Sequence, residues 1–187
     1  TEINPLNEYL DNILSVINVD AIRERDLRIA IDPMYGVSLT ALSTILSVAR
    51  CTIETINAQH DTLIGGKLPA PTEGTLRSLQ NYVLDRYCDI GIATDGDADR
   101  LGVIDDRGQY LHANDILVML YYYLLKYKGW RGPAVRNLAT THVLDKVAES
   151  FGEKCYEVPV GFKYISAKMQ ETGAVIGGEA SGGLTVR

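Results

Sequence analysis

The spacing of apolar residues divides the first part of the chain into alternating helical and extended stretches. Apolar side chains recur at helical spacing from Leu6 to Ile17, and a largely apolar run at 27–31 then predicts a buried strand. The turn at 32–36 leads to a second helical stripe from Leu39 to Ala49, and residues 51–56 predict another strand. Strand, helix and strand in this order favour a parallel pair joined by a right-handed crossover.

The next segment contains a glycine- and proline-rich loop, a helix and a hairpin-like pair of extended stretches. The loop at 65–71 includes Gly-Gly-Lys but lacks the G-x-x-x-x-G-K-[ST] spacing of a phosphate loop, and we interpret it as structural. Thr72 is predicted to cap the helix that runs to about Val83. Apolar stretches at 88–93 and 101–104 predict strands on both sides of a short polar loop.

The pattern restarts near residue 112. Asn114 or Asp115 is predicted to cap a helix that continues through Leu124. Later segments alternate in the same way, with strands expected at 133–140, 154–158 and 174–176 and a helical stripe at 144–151. The sequence therefore predicts two consecutive α/β units with a boundary near residue 112.

Composition narrows the class of protein. The 187 residues are 46% apolar and 22% charged, which is typical of a soluble globular protein. The net charge of −6 argues against a nucleic-acid surface, and no apolar run approaches the roughly 20 residues that cross a membrane. No basic-then-apolar signal opens the sequence. Three widely spaced cysteines indicate free thiols, so we expect a cytoplasmic protein.

Residues 94–100, Thr-Asp-Gly-Asp-Ala-Asp-Arg, carry the clearest chemical signal. Asp95, Asp97 and Asp99 alternate with small residues, and Arg100 follows directly. Because like charges this close raise one another's pKa, a compensating cation is expected. Mg²⁺ prefers oxygen ligands and is usually shared with phosphate groups. We therefore interpret this Asp-rich loop, 94–100, as a Mg²⁺ site with an arginine placed to meet a phosphoryl group.

Three other interpretations of the Asp-rich loop remain open from the residues alone. It could be a solvated acidic turn, since charged loops commonly face water. An EF-hand also begins D-x-D-x-D, but it requires Gly where this chain has Arg100, Glu where it has Asp106, and flanking helices instead of strands. A nucleotide-sugar transferase could carry a similar acidic motif.

Two further loops combine glycine with polar residues. In the strand-to-helix segment 158–164, Gly161 allows close backbone approach and Lys163 lies where a helix start could bind an anion. In the glycine-rich segment 177–183, Glu179 and Ser181 alternate, so a carboxylate and a hydroxyl could face vicinal sugar hydroxyls together. Both loops could instead be merely structural turns.

The three loops together resemble the α-D-phosphohexomutase superfamily, the phosphoglucomutases and phosphomannomutases. The matching motifs are Thr94–Arg100, Pro159–Tyr164 and Gly178–Gly182, in the family's order and across nearly the whole chain. The resemblance implies an α/β fold of two consecutive three-layer α/β/α domains with mostly parallel mixed sheets. Residues 1–112 would be domain II with its metal-binding loop, and 113–187 a truncated domain III with its sugar-binding loop.

The resemblance also implies a reaction. In this family a phosphoserine passes its phosphoryl group to a hexose 1- or 6-phosphate, and the bisphosphorylated sugar reorients and returns the other phosphoryl group. Mg²⁺ is the cofactor, and a hexose 1,6-bisphosphate activates the full enzyme. The residues implied are Asp95, Asp97 and Asp99 for the metal, Arg100 for catalysis, and Gly161, Phe162, Lys163, Glu179 and Ser181 for the substrate.

Two parts of the family pattern have no counterpart among these residues, the Ser-His phosphoserine loop of domain I and the phosphate loop of domain IV. We therefore expect a fragment of a longer enzyme, inactive by itself, whose partners are hexose phosphates and domains I and IV of the same polypeptide. Gly183 stands where some relatives have histidine, which favours a phosphoglucomutase-like over a phosphoglucosamine branch. The alternative is a non-catalytic module that binds sugar phosphate or metal without partner domains.

Overall fold

Two mixed sheets, each between layers of helices, organise the part of the chain that the computed structural model describes, residues 5–66, 68 and 70–187. Contacts divide the chain into a first unit that ends at Tyr110 and a second that begins at Leu111. Lys67 and Pro69 of the loop that we interpret as structural lie outside the described residues.

The first unit contains a five-stranded sheet in the order β2-β1-β3-β4-β5. Its elements are α1 Leu6–Val16, α2 Val19–Arg23, β1 Arg28–Asp32, α3 Leu39–Val48, β2 Thr52–Thr55, a 3₁₀ turn Ile64–Gly66, α4 Arg77–Arg86, β3 Ile90–Thr94, β4 Leu101–Asp105 and β5 Tyr110–Leu111. β1 is parallel to both β2 and β3, and β4 returns antiparallel to β3. The predicted parallel pair around a crossover helix is therefore confirmed.

Side chains of β1, which lies between β2 and β3, alternate between the two helical layers of this unit. Ile29 and Ile31 pack with Leu46 of α3 on one face. Ala30 packs with α4 residues such as Leu79 on the other face. Because both faces are covered by helices, β1 contains a continuous buried apolar run, Ile29 to Ile31, as parallel strands in such sheets usually do.

The second unit contains a four-stranded sheet in the order β7-β6-β8-β9. Its elements are α5 Ala113–Lys126, β6 Ala134–Asn137, α6 Val143–Ser150, β7 Cys155–Val158, α7 Phe162–Thr172, β8 Ile176–Gly178 and β9 Leu184–Val186. β6 is parallel to β7 and β8, and β9 returns antiparallel to β8. This order repeats β2-β1-β3-β4 of the first unit, so both units use the same plan.

The second core is also divided by its sheet. Val135 of β6 packs with Ile165 of α7 on one face, while Ala134 packs with Tyr121 of α5 on the other. Tyr121 is fully buried, and its hydroxyl donates to the Gly132 carbonyl at 3.0 Å, which satisfies its polar end. The predicted fold class, two consecutive α/β/α domains with mixed sheets, is confirmed.

Both predicted helix caps were wrong. α4 begins at Arg77 after Leu76, whereas Thr72 begins a separate turn that precedes the helix. α5 begins at Ala113, and its cap is His112, whose Nδ1 accepts from the Asn114 N–H at 3.2 Å. In each case the helix begins after a residue other than the nearest one of high capping propensity.

Four short elements were not predicted, namely α2, the 3₁₀ turn, β5 and β9. Each has five residues or fewer, and none contains an apolar run like those that predicted the other short strands. Among the described helices, none combines the length and the apolar character needed to cross a membrane.

Candidate functional site

Each unit carries a candidate loop in the hairpin that follows its third parallel strand. The Asp-rich loop joins β3 to β4, with Thr94 paired to Leu101. The segment from Glu179 to Gly183, called here the Glu179 loop, joins β8 to β9. Both loops therefore lie at the carboxyl ends of parallel strands, where open α/β sheets bind their ligands. Strands on both sides of the Asp-rich loop also contradict the EF-hand interpretation.

Asp95 is the anchor of the Asp-rich loop. Only 1% of the residue is exposed, and its Oδ1 accepts from the backbone N–H groups of Asp99 at 3.0 Å and Arg100 at 3.1 Å. Its Oδ2 accepts from Arg100 Nε at 2.6 Å. Ala98 has a left-handed φ of 63°, and its N–H donates to the Asp95 carbonyl, so the loop turns back over the carboxylate.

The three carboxylates converge. One carboxylate oxygen from each of Asp95, Asp97 and Asp99 lies within 4.8 Å of the others, and the last two residues are exposed. Asp95 already accepts three hydrogen bonds of the roughly four that a carboxylate can accept, so about one acceptor position remains. A set of hard oxygen donors at this spacing fits Mg²⁺.

The pKa shifts reflect crowded negative charge with one arginine beside it. Burial alone would raise the pKa of Asp95, but hydrogen bonds from the Arg100 backbone and guanidinium outweigh it and the pKa is lowered. The pKa of Asp99 is raised because its carboxyl group contacts the Asp95 carboxylate. Arg100 Nε also lies 3.5 Å from Asp99 Oδ1, and one cation thus faces three acidic groups. This arrangement favours binding of a further cation.

Glu179 connects the ends of three strands in the second unit. Its Oε1 accepts from Asn137 Nδ2 at the end of β6 at 2.9 Å and from the Gly161 N–H beyond β7 at 3.1 Å. The Ser181 hydroxyl donates to Oε2 at 3.3 Å. The loop is closed by the Glu179 N–H, which donates to the Gly183 carbonyl at 2.9 Å. The carboxylate therefore has a fixed direction at the sheet edge.

The remaining predicted substrate residues have different surroundings. Gly161 precedes α7 with a φ of 129°, which an L side chain rarely adopts. Phe162 packs against the core beneath the loop and is partly buried. Lys163 is exposed, and its Nζ lies 4.9 Å from the centroid of the Tyr164 ring. The structure thus brings Gly161, Glu179 and Ser181 together, whereas Lys163 lies at the start of α7 facing solvent.

Sequence reasoning missed Asn137, which orients Glu179. Only 2% of Asn137 is exposed, and its Oδ1 accepts from the Ala139 N–H at 3.0 Å and the Thr140 hydroxyl at 2.7 Å. These two bonds fix the amide so that Nδ2 points at Glu179. The available signal was a polar residue that ends an apolar strand, because a buried amide is costly unless it is hydrogen-bonded.

Comparisons with known proteins cover nearly the whole chain. Residues 7–108 match the family description "phosphoglucomutase/phosphomannomutase, alpha/beta/alpha domain II", and residues 112–187 match its domain III. A phosphoglucomutase/phosphomannomutase from Thermococcus kodakarensis is 28% identical over 96% of this chain and 39% of its own length. A protein named as a probable phosphoglucosamine mutase from Methanopyrus kandleri is 30% identical over 95% of this chain and 38% of its own length.

A solved structure agrees with these matches. A candidate phosphomannomutase from Thermus thermophilus superimposes with a TM-score of 0.92 at 28% identity, over 98% of this chain and 43% of that one. The chain thus spans roughly two-fifths of the length of the relatives that it matches.

Proposed function

Because the chain belongs to the phosphoglucomutase/phosphomannomutase family, we propose that it forms the metal-binding and sugar-binding part of a Mg²⁺-dependent phosphohexomutase. Such an enzyme interconverts hexose 1-phosphate and hexose 6-phosphate through a phosphoserine and a bisphosphorylated sugar. The observation that carries the proposal is the convergence of three carboxylate oxygens within 4.8 Å beside Arg100. The family membership replaces the nucleotide-sugar transferase interpretation.

In this proposal the Asp-rich loop prepares an electrostatic site for phosphoryl transfer. Asp95, Asp97 and Asp99 would hold Mg²⁺, and the ion would supply positive charge for the transferring phosphoryl group. Arg100 holds the Asp95 carboxylate in place through its Nε and adds a second positive charge at the same edge. Positioning and charge neutralisation supply most of the catalysis in phosphoryl transfer, so this loop needs no nucleophile of its own.

We assign sugar binding to the Glu179 loop. Two N–H donors hold Glu179 Oε1, so its remaining acceptor positions are directed and can receive hydrogen bonds from sugar hydroxyls. Ser181, which is exposed, adds a hydroxyl on the same side. Gly161 lets the backbone approach the ligand closely, and Lys163 at the start of α7 offers a cation for a phosphate. Phe162 supports this segment from the core.

The phosphoserine and the phosphate loop come, in this proposal, from polypeptide outside residues 1–187, since the chain covers 39% of the Thermococcus relative. The substrates are hexose phosphates. Gly183 favours glucose or mannose phosphate over glucosamine phosphate, although the named relatives include mutases of both kinds. Cys51, Cys88 and Cys155 are free thiols, which supports a reducing, cytoplasmic location.

A coupled assay tests the proposal. Conversion of glucose 1-phosphate to glucose 6-phosphate is measured with Mg²⁺ and a trace of glucose 1,6-bisphosphate, with mannose and glucosamine 1-phosphates in parallel. It is run on residues 1–187 and on the full product of the parent gene. We expect turnover with the full product alone, and its loss when EDTA removes the metal.

Two outcomes would contradict the proposal. Robust turnover by residues 1–187 alone would show that the phosphoryl-carrying residue lies within this chain. No turnover of any of the three sugars by a folded and phosphorylated full product would exclude these mutase activities. Measurable hexose-phosphate affinity of residues 1–187 in that case would support the alternative, a non-catalytic binding module.

A further inference from the structure

The turn that follows β1, residues 33–38, lies directly against the Asp-rich loop. Gly36 approaches Gly96 so closely that a Cβ on Gly36 would lie 2.6 Å from the Gly96 Cα. The N–H of Val37 donates to the Gly96 carbonyl at 3.1 Å. The hydroxyl groups of Ser38 and Thr94, both buried, are 2.7 Å apart. Gly36 and Val37 therefore contact the backbone of Gly96, between the first two carboxylates of the loop. Ser38 contacts the side chain of Thr94, directly before the first carboxylate.

The turn itself is held in an unusual backbone conformation. Met34 and Tyr35 have left-handed φ angles of 46° and 63°. The buried carboxylate of Asp32 accepts from the Met34 N–H and from the Asn57 side chain, each at 2.9 Å. The Tyr35 N–H donates to the Asn57 carbonyl at 3.0 Å. Left-handed non-glycine residues persist where surrounding contacts enforce them, and they cluster at functional sites.

Gly36 is required at this position by contact and not by its own backbone angles. Its φ lies outside the left-handed region, so alanine could adopt the same conformation. The obstacle is Gly96, because carbon atoms pack at about 3.5–4.0 Å and a Cβ would lie far inside that distance. Relief of the overlap needs the two backbones to separate by roughly 1 Å, about twice the tolerance of a functional site.

We propose that Gly36 is a positioning residue for the metal site. Asp95 is fixed by its own hydrogen bonds, but Asp97 and Asp99 are exposed, so their positions depend on the loop backbone. The Gly36–Gly96 contact and the Val37 hydrogen bond hold that backbone at the spacing a divalent cation needs. This inference rests on the proposed function, because it assumes that the Asp-rich loop binds a divalent cation.

The test measures metal binding directly on residues 1–187. Mn²⁺, a paramagnetic substitute for Mg²⁺, is titrated while NMR follows broadening of the backbone amides of 94–100. The variants are Gly36→Ala and Ser38→Ala, and the matched control is Gly74→Ala, since a Cβ on Gly74 would meet nothing within 4 Å. Hydrogen exchange of the Val37 amide reports the bond to Gly96 in each variant.

We expect the parent chain and Gly74→Ala to show the same titration midpoint. Gly36→Ala should shift it to about tenfold higher Mn²⁺, as loss of supporting contacts does at other metal sites. Its Val37 amide should also exchange faster. Ser38→Ala removes the hydrogen bond between the hydroxyls of Ser38 and Thr94 but leaves Gly36 in contact with Gly96. Its titration midpoint should therefore shift to about threefold higher Mn²⁺.

The outcomes separate the positioning role from the metal site itself. Gly36→Ala with a dispersed spectrum and the parent midpoint would overturn the positioning role and leave the metal site intact. If Gly36→Ala does not fold, Val37→Pro decides, because it removes the N–H that donates to the Gly96 carbonyl, and an unchanged midpoint there contradicts the proposal. Absence of broadening at 94–100 in the parent chain would overturn the metal site, and the positioning role with it.

Discussion

Asp95, Asp97 and Asp99 have the same type of side chain, but their surroundings differ. Asp95 is buried and accepts three hydrogen bonds from its own loop, so it determines the loop's shape in addition to its proposed role as an oxygen ligand. Asp97 and Asp99 are exposed. A substitution at Asp95 therefore mixes folding with function, whereas one at Asp97 separates them.

Asp97→Asn should abolish turnover by the full enzyme with little loss of stability. The amide keeps the shape of the side chain but removes the negative charge that a Mg²⁺ ligand supplies. Because Asp97 is exposed, its substitution should change the free energy of unfolding of the protein by no more than about 0.5 kcal/mol. Turnover and thermal unfolding are compared with Asp106→Asn, an exposed carboxylate between β4 and β5. An active, normally folded Asp97→Asn would contradict the metal assignment.

Glu179→Gln tests the charge of the second loop while the two hydrogen bonds at Oε1 are kept. The amide oxygen of glutamine can still accept from Asn137 and Gly161, so the loop should retain its shape. We expect a KM for hexose phosphate raised by about tenfold, the usual size for a hydrogen bond to a charged group. Glu171→Gln, in an exposed pair with Lys168, is the control. Equal KM values in the two variants would exclude Glu179 from substrate binding.

At the scale of the elements, the sequence predicts which segments form buried strands and helices. It does not predict which residues cap the helices or hydrogen-bond at the strand ends. The apolar period placed β1, α3 and β2 correctly, because helices on both faces of a parallel strand require an apolar run. The caps of α4 and α5 were missed because Leu76 and His112 are not residues of high capping propensity. Asn137 was missed because its partner, Glu179, is 42 residues away.

The segment before α4 allows a test of whether Thr72 caps that helix. The Thr75 hydroxyl donates to the Ala70 carbonyl at 2.6 Å and accepts from the Thr72 N–H at 2.9 Å. Thr75→Val keeps the shape but removes both bonds, so the free energy of unfolding should fall by about 1–2 kcal/mol. Thr72→Ala should lower it by less than about 0.5 kcal/mol. Urea unfolding measures both, and the reverse order would restore Thr72 as the cap.

Between β6, β7 and α6, the buried Arg136 binds two carboxylates. Its Nη2 lies 2.8 Å from Asp145 and its Nη1 lies 2.7 Å from Glu157. Burial alone would raise the pKa of Asp145, but hydrogen bonds from Arg136, Cys155 and His142 outweigh it and the pKa is lowered. A carboxyl group with a lowered folded pKa stabilises the protein above its unfolded pKa, and this contribution is lost as pH falls through the folded value.

Acidification should therefore destabilise the second unit partly through Asp145. Trp130 is the single tryptophan and packs against the core of that unit, so its fluorescence reports unfolding there. Between pH 7 and pH 3, the parent chain should lose more unfolding free energy than Asp145→Asn, because the folded-state pKa of Asp145 is lowered and the asparagine does not titrate. Asp106→Asn should follow the parent. Identical pH dependence in the parent and Asp145→Asn would contradict the argument.

At the scale of the whole molecule, the two units hold their candidate loops by the same arrangement of strands and contacts. In each, the third parallel strand leads into a hairpin loop that carries one or more acidic side chains, and that loop is contacted from the carboxyl end of the neighbouring parallel strand, β1 or β6. Val37 donates to Gly96 in the first unit, and Asn137 donates to Glu179 in the second. The sequence predicted both units and both loops, but not these supporting contacts, because they join residues that are distant in the chain.

Because the three carboxylates lie in the first unit, Mg²⁺ should stabilise that unit selectively. A ligand that binds only the folded form raises the protection of amides against hydrogen exchange by a factor of one plus the ratio of ligand concentration to Kd. This factor is about five when the Mg²⁺ concentration is four times Kd. Hydrogen exchange should show this gain in the slowest amides of β1 and β3 and not in those of β6 and β8.

Measurement at constant ionic strength removes the general effect of salt on a chain with a net charge of −6. Asp97→Asn, in which the ligand is lost and the fold is kept, should show no gain in either unit. A gain spread equally over both sheets would mean that Mg²⁺ binds non-specifically to the acidic chain and not at the Asp-rich loop. A gain confined to β1 and β3 and absent in Asp97→Asn would locate the bound cation at the loop without recourse to turnover, so the metal site can be judged separately from the reaction.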